Sequence, residues 1–276
     1  DRVFVSGDFS AIGGDPQPRQ QLAALDTLNG EVADWNPGAN SVVDVFLLEG
    51  DTLYAGGYFT QVGGLPRNYV AAIDVKTGEV TAWNPDADSW VLTMARSGTT
   101  IFLGGIFQRI GGLGRPCVAA VDALTGAALP WDAQVAPGVV DALLVSGNTL
   151  YVGGGFEQIG GKPRSSIAAL DATTGGAIPW YPQASGWGSP VRVRALALID
   201  STLYVGGSFG IMGSQPRICL AALDTSTALA TAWDPGLDGL VWTMGTEGKE
   251  LFVGGGFTRA GGLPAAGLAA FSVPEA

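Results

Sequence analysis

Arginine and tryptophan are the residues of this chain whose types and spacing point to recognition chemistry. Five arginines, Arg19, Arg67, Arg115, Arg164 and Arg217, close loops of the form G-G-x-P-R. The third loop reverses its last pair to Arg115-Pro116, the first carries two extra residues, and the sixth has Ala265 in the same place. A guanidinium is a planar fork of N–H donors suited to carboxylate, phosphate or sugar oxygens, and an indole offers a flat face for stacking. Either these forks face an anionic or sugar ligand, or each is used inside its own repeat. Strict repetition speaks for the second, because a binding site usually breaks symmetry.

Symmetry does break once. The segment Tyr181-Pro-Gln-Ala-Ser-Gly-Trp187-Gly-Ser-Pro190 is the longest link in the chain, and Val191-Arg192-Val193-Arg194 follows it. Inserted loops are where scaffolds tend to carry binding residues. Trp187, Arg192 and Arg194, with Arg67, Arg115, Arg164 and Arg217, are therefore the expected ligand-binding set. Trp187 could equally pack over the sheet beneath it. Trp90 and Trp242 stand outside the repeating tryptophan positions, at or near the starts of expected strands.

Other chemistry is thin. The chain has no histidine, which excludes histidine triads, histidine metal sites and histidine pH switching. It has no G-x-S-x-G and no P-loop, and no catalytic residue is assigned. Asp86 and Asp88, in Asn84-Pro-Asp-Ala-Asp88, form the one oxygen-rich link that could hold calcium. No other cofactor is expected. Cys117 and Cys219 each precede the same apolar phrase in non-adjacent repeats, too far apart for a disulfide, and are expected to be small buried fillers. A formal charge of −11 with only three lysines speaks against nucleic acid and anionic membrane surfaces. No run of 18 apolar residues exists, so no membrane insertion is expected. Asp1 opens inside a repeated strand, which reads as a processed or trimmed chain.

The elements that must position these residues recur. The phrases VFVSGDF, LYAGGYF, IFLGGIF, LYVGGGF, LYVGGSF and LFVGGGF end at Phe9, Phe59, Phe107, Phe156, Phe209 and Phe257. A period near 50 with glycine and aromatic punctuation is the signature of β-propeller blades. In the type unit an inner strand, Val43 to Leu48, is followed by a second at Leu53 to Phe59 and a third at Val70 to Asp74. An outer strand at Glu79 to Trp83 completes it. The expected fold is all-β: one propeller domain over residues 1–276, with six four-stranded antiparallel blades of about 48–50 residues. Second and third strands occur six times, inner and outer ones five. The first and last blades are therefore incomplete, and their free edges are open to strand pairing.

A second motif, A-x-D-x-x-T-G with tryptophan five residues after the glycine, spans Ala72 to Trp83, Ala120 to Trp131 and Ala169 to Trp180. Degraded copies run from Ala24 to Trp35 and from Ala222 to Trp233. Asp26, Asp74, Asp122, Asp171 and Asp224 are expected to cap the following turns. Trp35, Trp83, Trp131, Trp180 and Trp233 are expected to pack between neighbouring blades. This motif resembles the tryptophan-docking motif of pyrroloquinoline quinone propeller enzymes, with one extra residue before the tryptophan. The adjacent cysteine pair of those enzymes is missing.

Taken whole, the unit resembles the delta-60-type β-propeller repeats of bacterial secreted and cell-surface proteins, most clearly at Leu203 to Phe209 and Leu220 to Asp224. That resemblance implies an extracellular or cell-surface location and no defined activity. The leading expectation is a non-catalytic module that binds a carbohydrate or protein partner or serves in assembly. The alternatives are a polysaccharide-active or quinoprotein-like enzyme, and a structural spacer of a surface fibre.

Overall fold

A computed structural model describes residues 2–13, 18–136, 138–186 and 191–273. It is all-β and falls into two compact units, Asp1–Pro130 and Trp131–Ala276. Each unit is built from small antiparallel sheets that follow the sequence repeat.

Second and third strands pair in every repeat: Arg2–Ser6 with Leu22–Asp26, Thr52–Gly57 with Val70–Asp74, and Thr100–Gly105 with Val118–Asp122 in the first unit. In the second unit Thr149–Gly155 pairs with Ile167–Asp171, Thr202–Ser208 with Leu220–Asp224, and Glu250–Gly256 with Leu268–Ser272. Inner strands Val43–Glu49, Val91–Ser97, Val139–Ser146, Arg192–Ile199 and Leu240–Glu247 flank the second strands of repeats two to six. The first repeat has no inner strand among the described residues.

The outer strand is the main departure from expectation. In repeats one, two, four and five it shrinks to isolated bridges: Leu25 to Val32, Ile73 to Val80, Leu170 to Ala177 and Leu223 to Ala230. Those sheets have two or three strands, not four. Among the described residues only the third repeat keeps a full outer strand, Ala128–Asp132. It is also the repeat with alanine (Ala133) where the others have Pro37, Pro85, Pro182 and Pro235 two residues past the tryptophan. Proline lacks the N–H a ladder needs, and it sits at strand ends for that reason. The G-G-x-P-R loop is likewise not plain loop. It folds as a two-residue hairpin, such as Gln61–Val62 against Leu65–Pro66.

Each sheet has two faces. The front face carries the aromatic residue of the second strand and alternate residues of the third, and within each unit it packs on the following repeat at the junctions between repeats one and two, two and three, four and five, and five and six. Tyr54, Val70 and Ala72 share one core with Val91, Ile101, Leu103, Ala119 and Val121 of the next sheet. The same junction recurs where Leu22 and Ala24 meet Leu53, Ala55 and Ile73, and where Tyr151 and Ile167 meet Leu203, Val205 and Leu223. Tyr204 and Leu220 meet Leu251 and Val253 in the same way. In sheets with a neighbour on each side within their unit, the strand period of two thus puts a core on both faces, and the short strands read as nearly continuous apolar runs.

Candidate binding surface

The aspartate turns and tryptophans tie consecutive repeats together. The Asp74 carboxylate accepts the backbone N–H groups of Lys76 and Thr77, both at 2.8 Å. Asp122, Asp171 and Asp224 cap their turns likewise, and Asp26 accepts from Leu28 N–H. Hydrogen bonds to the ionised form lower Asp74, Asp122, Asp171 and Asp224. Asp224, which also accepts the Ser226 and Thr227 hydroxyls, is held down at about 2. Its stabilisation is present above the ordinary carboxylate range and is lost only as pH falls towards 2.

The main-chain carbonyl of the same aspartate receives the indole of the preceding repeat. Trp35 Nε1 donates to Asp74 O at 3.0 Å, Trp83 to Asp122 O at 3.0 Å and Trp180 to Asp224 O at 3.2 Å. Each indole also meets the second-strand aromatic of its own repeat edge-on, as in Tyr54–Trp83 at 4.9 Å and 70°. Trp131 is buried and lies against the Gly175 turn. Trp233 differs: Ser272 replaces the aspartate of the sixth repeat, and the indole packs edge-on against Phe271 at 5.6 Å.

The repeated arginines turn inward. Arg67 donates through Nη1 to Pro66 O and through Nη2 to Thr81 O, and Arg217 does the same to Pro216 O and Thr231 O. Arg115 reaches Gly114 O and Pro130 O, and Arg164 reaches Pro163 O and Ile178 O. Arg19 Nη2 donates to Ala33 O. Each fork therefore staples its loop to the segment just before its own tryptophan, and Arg164 also lies 4.6 Å over the Tyr181 ring.

Asp88 is likewise engaged: its carboxylate caps Gln108 and Arg109 N–H, while Asp86 accepts from Asn68. No group of three potential metal-binding side chains occurs among the described residues. Cys117 and Cys219 are free and buried, and burial pushes the Cys219 thiol up. Trp187 lies outside the described residues. A pocket of about 540 Å³ between repeats one and two is lined by turn residues, Asn36, Pro37 and Gly78 among them, with the single carboxylate of Glu79.

What does vary between repeats is a β-bulge. The register slips at the same place in all five inner strands, between Val43/Val45, Val91/Thr93, Val140/Ala142, Val193/Ala195 and Val241/Thr243. The bulged residues are Asp44, Leu92, Asp141, Arg194 and Trp242: two acids, an aliphatic, a base and an indole on one scaffold position. Bulges re-aim side chains and cluster next to functional sites. Glycine makes this bulge possible. A Cβ on Gly105 would lie 2.0 Å from the Trp90 carbonyl oxygen, and one on Gly207 would lie 2.1 Å from that of Arg192.

In the second unit the inner strands of repeats four, five and six pack side by side. Arg192 reaches across to Asp141 as a bidentate pair at 2.5 Å. Arg194, half-buried, makes no hydrogen bond or ion pair among the described residues, and its Nε is buried without a partner. Trp242 is 57 % exposed. In the first unit Trp90, 39 % exposed, lies tilted by 48° against Tyr58 with ring centres 4.1 Å apart. The structure thus separates Arg192 and Arg194, which are neighbours in sequence, into a paired and an unpaired guanidinium. Asp44, Asp141 and Tyr58 were not singled out by spacing. Their signal was the glycine pair opposite each break in the inner-strand alternation.

Asp44 carries a pH prediction. Asp44 is exposed by surface area, yet the protein around its carboxylate removes enough water to raise it to about 6. A raised acid favours the native state below its unfolded value near 3.8 and loses that contribution as pH rises towards 6. Asp44→Asn should raise the melting temperature relative to the parent at pH 7 and leave it unchanged at pH 4. Equal shifts at both pH values would refute the assignment.

No family model matches the sequence, and no curated protein does. Among solved structures the chain is similar to the computationally designed Ika8 protein, with 16 % identity and a TM-score of 0.55 over 88 % of this chain and 66 % of that one. It is also similar to a chain of the mitotic checkpoint complex, with 16 % identity and a TM-score of 0.59 over 85 % of this chain and 64 % of that one. This chain therefore spans just under two thirds of the length of each. At such identity the likeness is one of fold: an all-β array of repeated small sheets.

Proposed function

We propose that the six repeats are blades of a β-propeller and that the chain is a non-catalytic recognition module at the cell surface or outside the cell, with a carbohydrate as its first ligand class. The bulge carries this reading. Turns, cores and arginine staples are built from near-identical residues, whereas the bulge presents different chemistry from one repeat to the next. The acidic balance, the scarcity of lysine and the resemblance to delta-60-type repeats support the location.

In this reading recognition passes, within the second unit, to Arg194, whose fork has no partner among the described residues, and to the indole face of Trp242. Arg192, held by Asp141, is a positioning residue. Arg67, Arg115, Arg164 and Arg217 each shape the loop of their own repeat.

A glycan array tests this. The parent protein is expected to bind a restricted set of glycans. Arg194→Ala and Trp242→Ala should each weaken that binding more than about tenfold, the scale of one lost anchor, with an unchanged melting temperature. Silence across the array would overturn the carbohydrate reading, and equal binding by both variants would remove the bulge from it.

A further inference from the structure

Two further positions beside the bulge also vary in chemistry. One is the residue before the closing phenylalanine of the second strand: Tyr58 in the second repeat, Gly155 in the fourth and Gly256 in the sixth. The other opens the following repeat's inner strand: Trp90 in the third repeat and Arg192 in the fifth. Trp90 and Arg192 hold the same place, since each puts its carbonyl oxygen 2.0–2.1 Å from where a Cβ on the facing glycine, Gly105 or Gly207, would lie.

In the second unit these positions meet the bulged residue. Arg192 holds the bulged Asp141 of the preceding repeat at 2.5 Å. A Cβ on Gly155 would lie 3.8 Å from Arg192 Cγ, and one on Gly256 would lie 3.1 Å from the ring of the bulged Trp242.

In the first unit the same three positions carry Asp44, Tyr58 and Trp90. The two inner strands concerned pack side by side. Tyr58 N–H donates to Val42 O at 2.9 Å, two residues from Asp44, and Trp90 lies against the Tyr58 ring. Where Asp141 receives a guanidinium, Asp44 is offered an indole. Its carboxylate has no hydrogen bond or ion pair among the described residues. The other charged residues of the two strands, Glu49 and Arg96, pair with each other at 2.6 Å. Loss of water raises Asp44, and no neighbouring cation offsets that loss.

We propose that Asp44, Tyr58 and Trp90 form a binding site for a small alkylated ammonium ion, which takes the place that the Arg192 guanidinium fills in the second unit. Ring planes 48° apart make a corner and not a flat platform. An aromatic face attracts a cation through its quadrupole, tryptophan most strongly, and alkylated ammonium ions suit such faces. The carboxylate supplies the counter-charge, and the net charge of −11 draws cations towards the protein. A neutral sugar can hydrogen-bond a carboxylate but leaves its charge uncompensated.

Calorimetric titration of the full chain with choline at pH 8, where the carboxylate is ionised, tests the proposal. The comparison is dimethylbutanol, in which carbon replaces the charged nitrogen of choline. Choline should bind at least about tenfold more tightly than this neutral alcohol. Asp44→Asn keeps the shape and removes the charge, and Trp90→Ala removes the main ring face. Each should weaken choline binding by about tenfold or more. Thermal unfolding checks that both variants are folded, and the exposed Asp44→Asn carries the test by itself if Trp90→Ala is not. Equal binding of the two probes would reduce the site to an apolar contact and overturn the proposal. So would a failure to bind choline, or choline binding that Asp44→Asn leaves unchanged. Binding of methyl glucoside in place of choline, lost in Trp90→Ala, would overturn it in favour of a carbohydrate. The three residues lie in the first unit and Arg194 and Trp242 in the second, so this titration and the glycan array succeed or fail independently.

Discussion

Replacing Trp83 with alanine is expected to cost about 3–5 kcal/mol of stability, the range for deleting a large buried aromatic. The indole is 4 % exposed. It fills the junction between the second and third sheets with Tyr54, Val70, Val91 and Leu103. It also supplies the N–H that satisfies Asp122 O. Removing it opens a cavity at a contact between repeats and takes the donor from that carbonyl, so two costs add. Trp242→Ala is the comparison. Its side chain is 57 % exposed and outside the core clusters, so the change should stay within about 0.5 kcal/mol. Urea denaturation of both variants checks the pair. A Trp83→Ala loss below about 1 kcal/mol would mean that the junction closes without its tryptophan.

The second large effect comes from adding one methyl group. Gly105→Ala should destabilise by about 1–3 kcal/mol, as overpacking does in a dense interior. The new Cβ would sit 2.0 Å from the Trp90 carbonyl oxygen and 3.1 Å from Val91 Cα. Those are backbone atoms of the bulge, and that carbonyl accepts Ile106 N–H at 3.1 Å, so relief requires moving the bulge itself. Gly114→Ala is the control: its Cβ would meet nothing within 4 Å. That variant should be neutral or gain a few tenths of a kcal/mol from a stiffer unfolded chain. Equal losses from both would show that backbone conformation and not close approach dictates the glycine.

Inner, second and third strands were legible to within about two residues, because apolar runs of strand length, bounded by glycine and aspartate turns, leave little alternative. The aspartate caps were equally legible, since a carboxylate two or three residues before the N–H it accepts needs no distant partner. The outer strand Glu79 to Trp83 was not. Its residues have strand propensity, but its tryptophan is drawn to a carbonyl 39 positions away in the next repeat, and the ladder ends after one bridge. Spacing identified Arg67 and Arg217 as forks and left open where they point. Only the fold shows that two N–H groups of each are spent on carbonyls one and fourteen residues away.

The sequence by itself determined the repeat, the all-β class, the turn chemistry and the absence of histidine-based catalysis. Those follow from composition and from contacts between near neighbours. Only the tertiary structure decided where the arginine forks point and which five side chains the bulges present. Those properties depend on how one sheet stacks on the next. Phe252 and Tyr204 occupy the same place in their phrases, yet one is 41 % and the other 3 % exposed. Tyr204 is packed with Leu251 and Val253 of the following sheet.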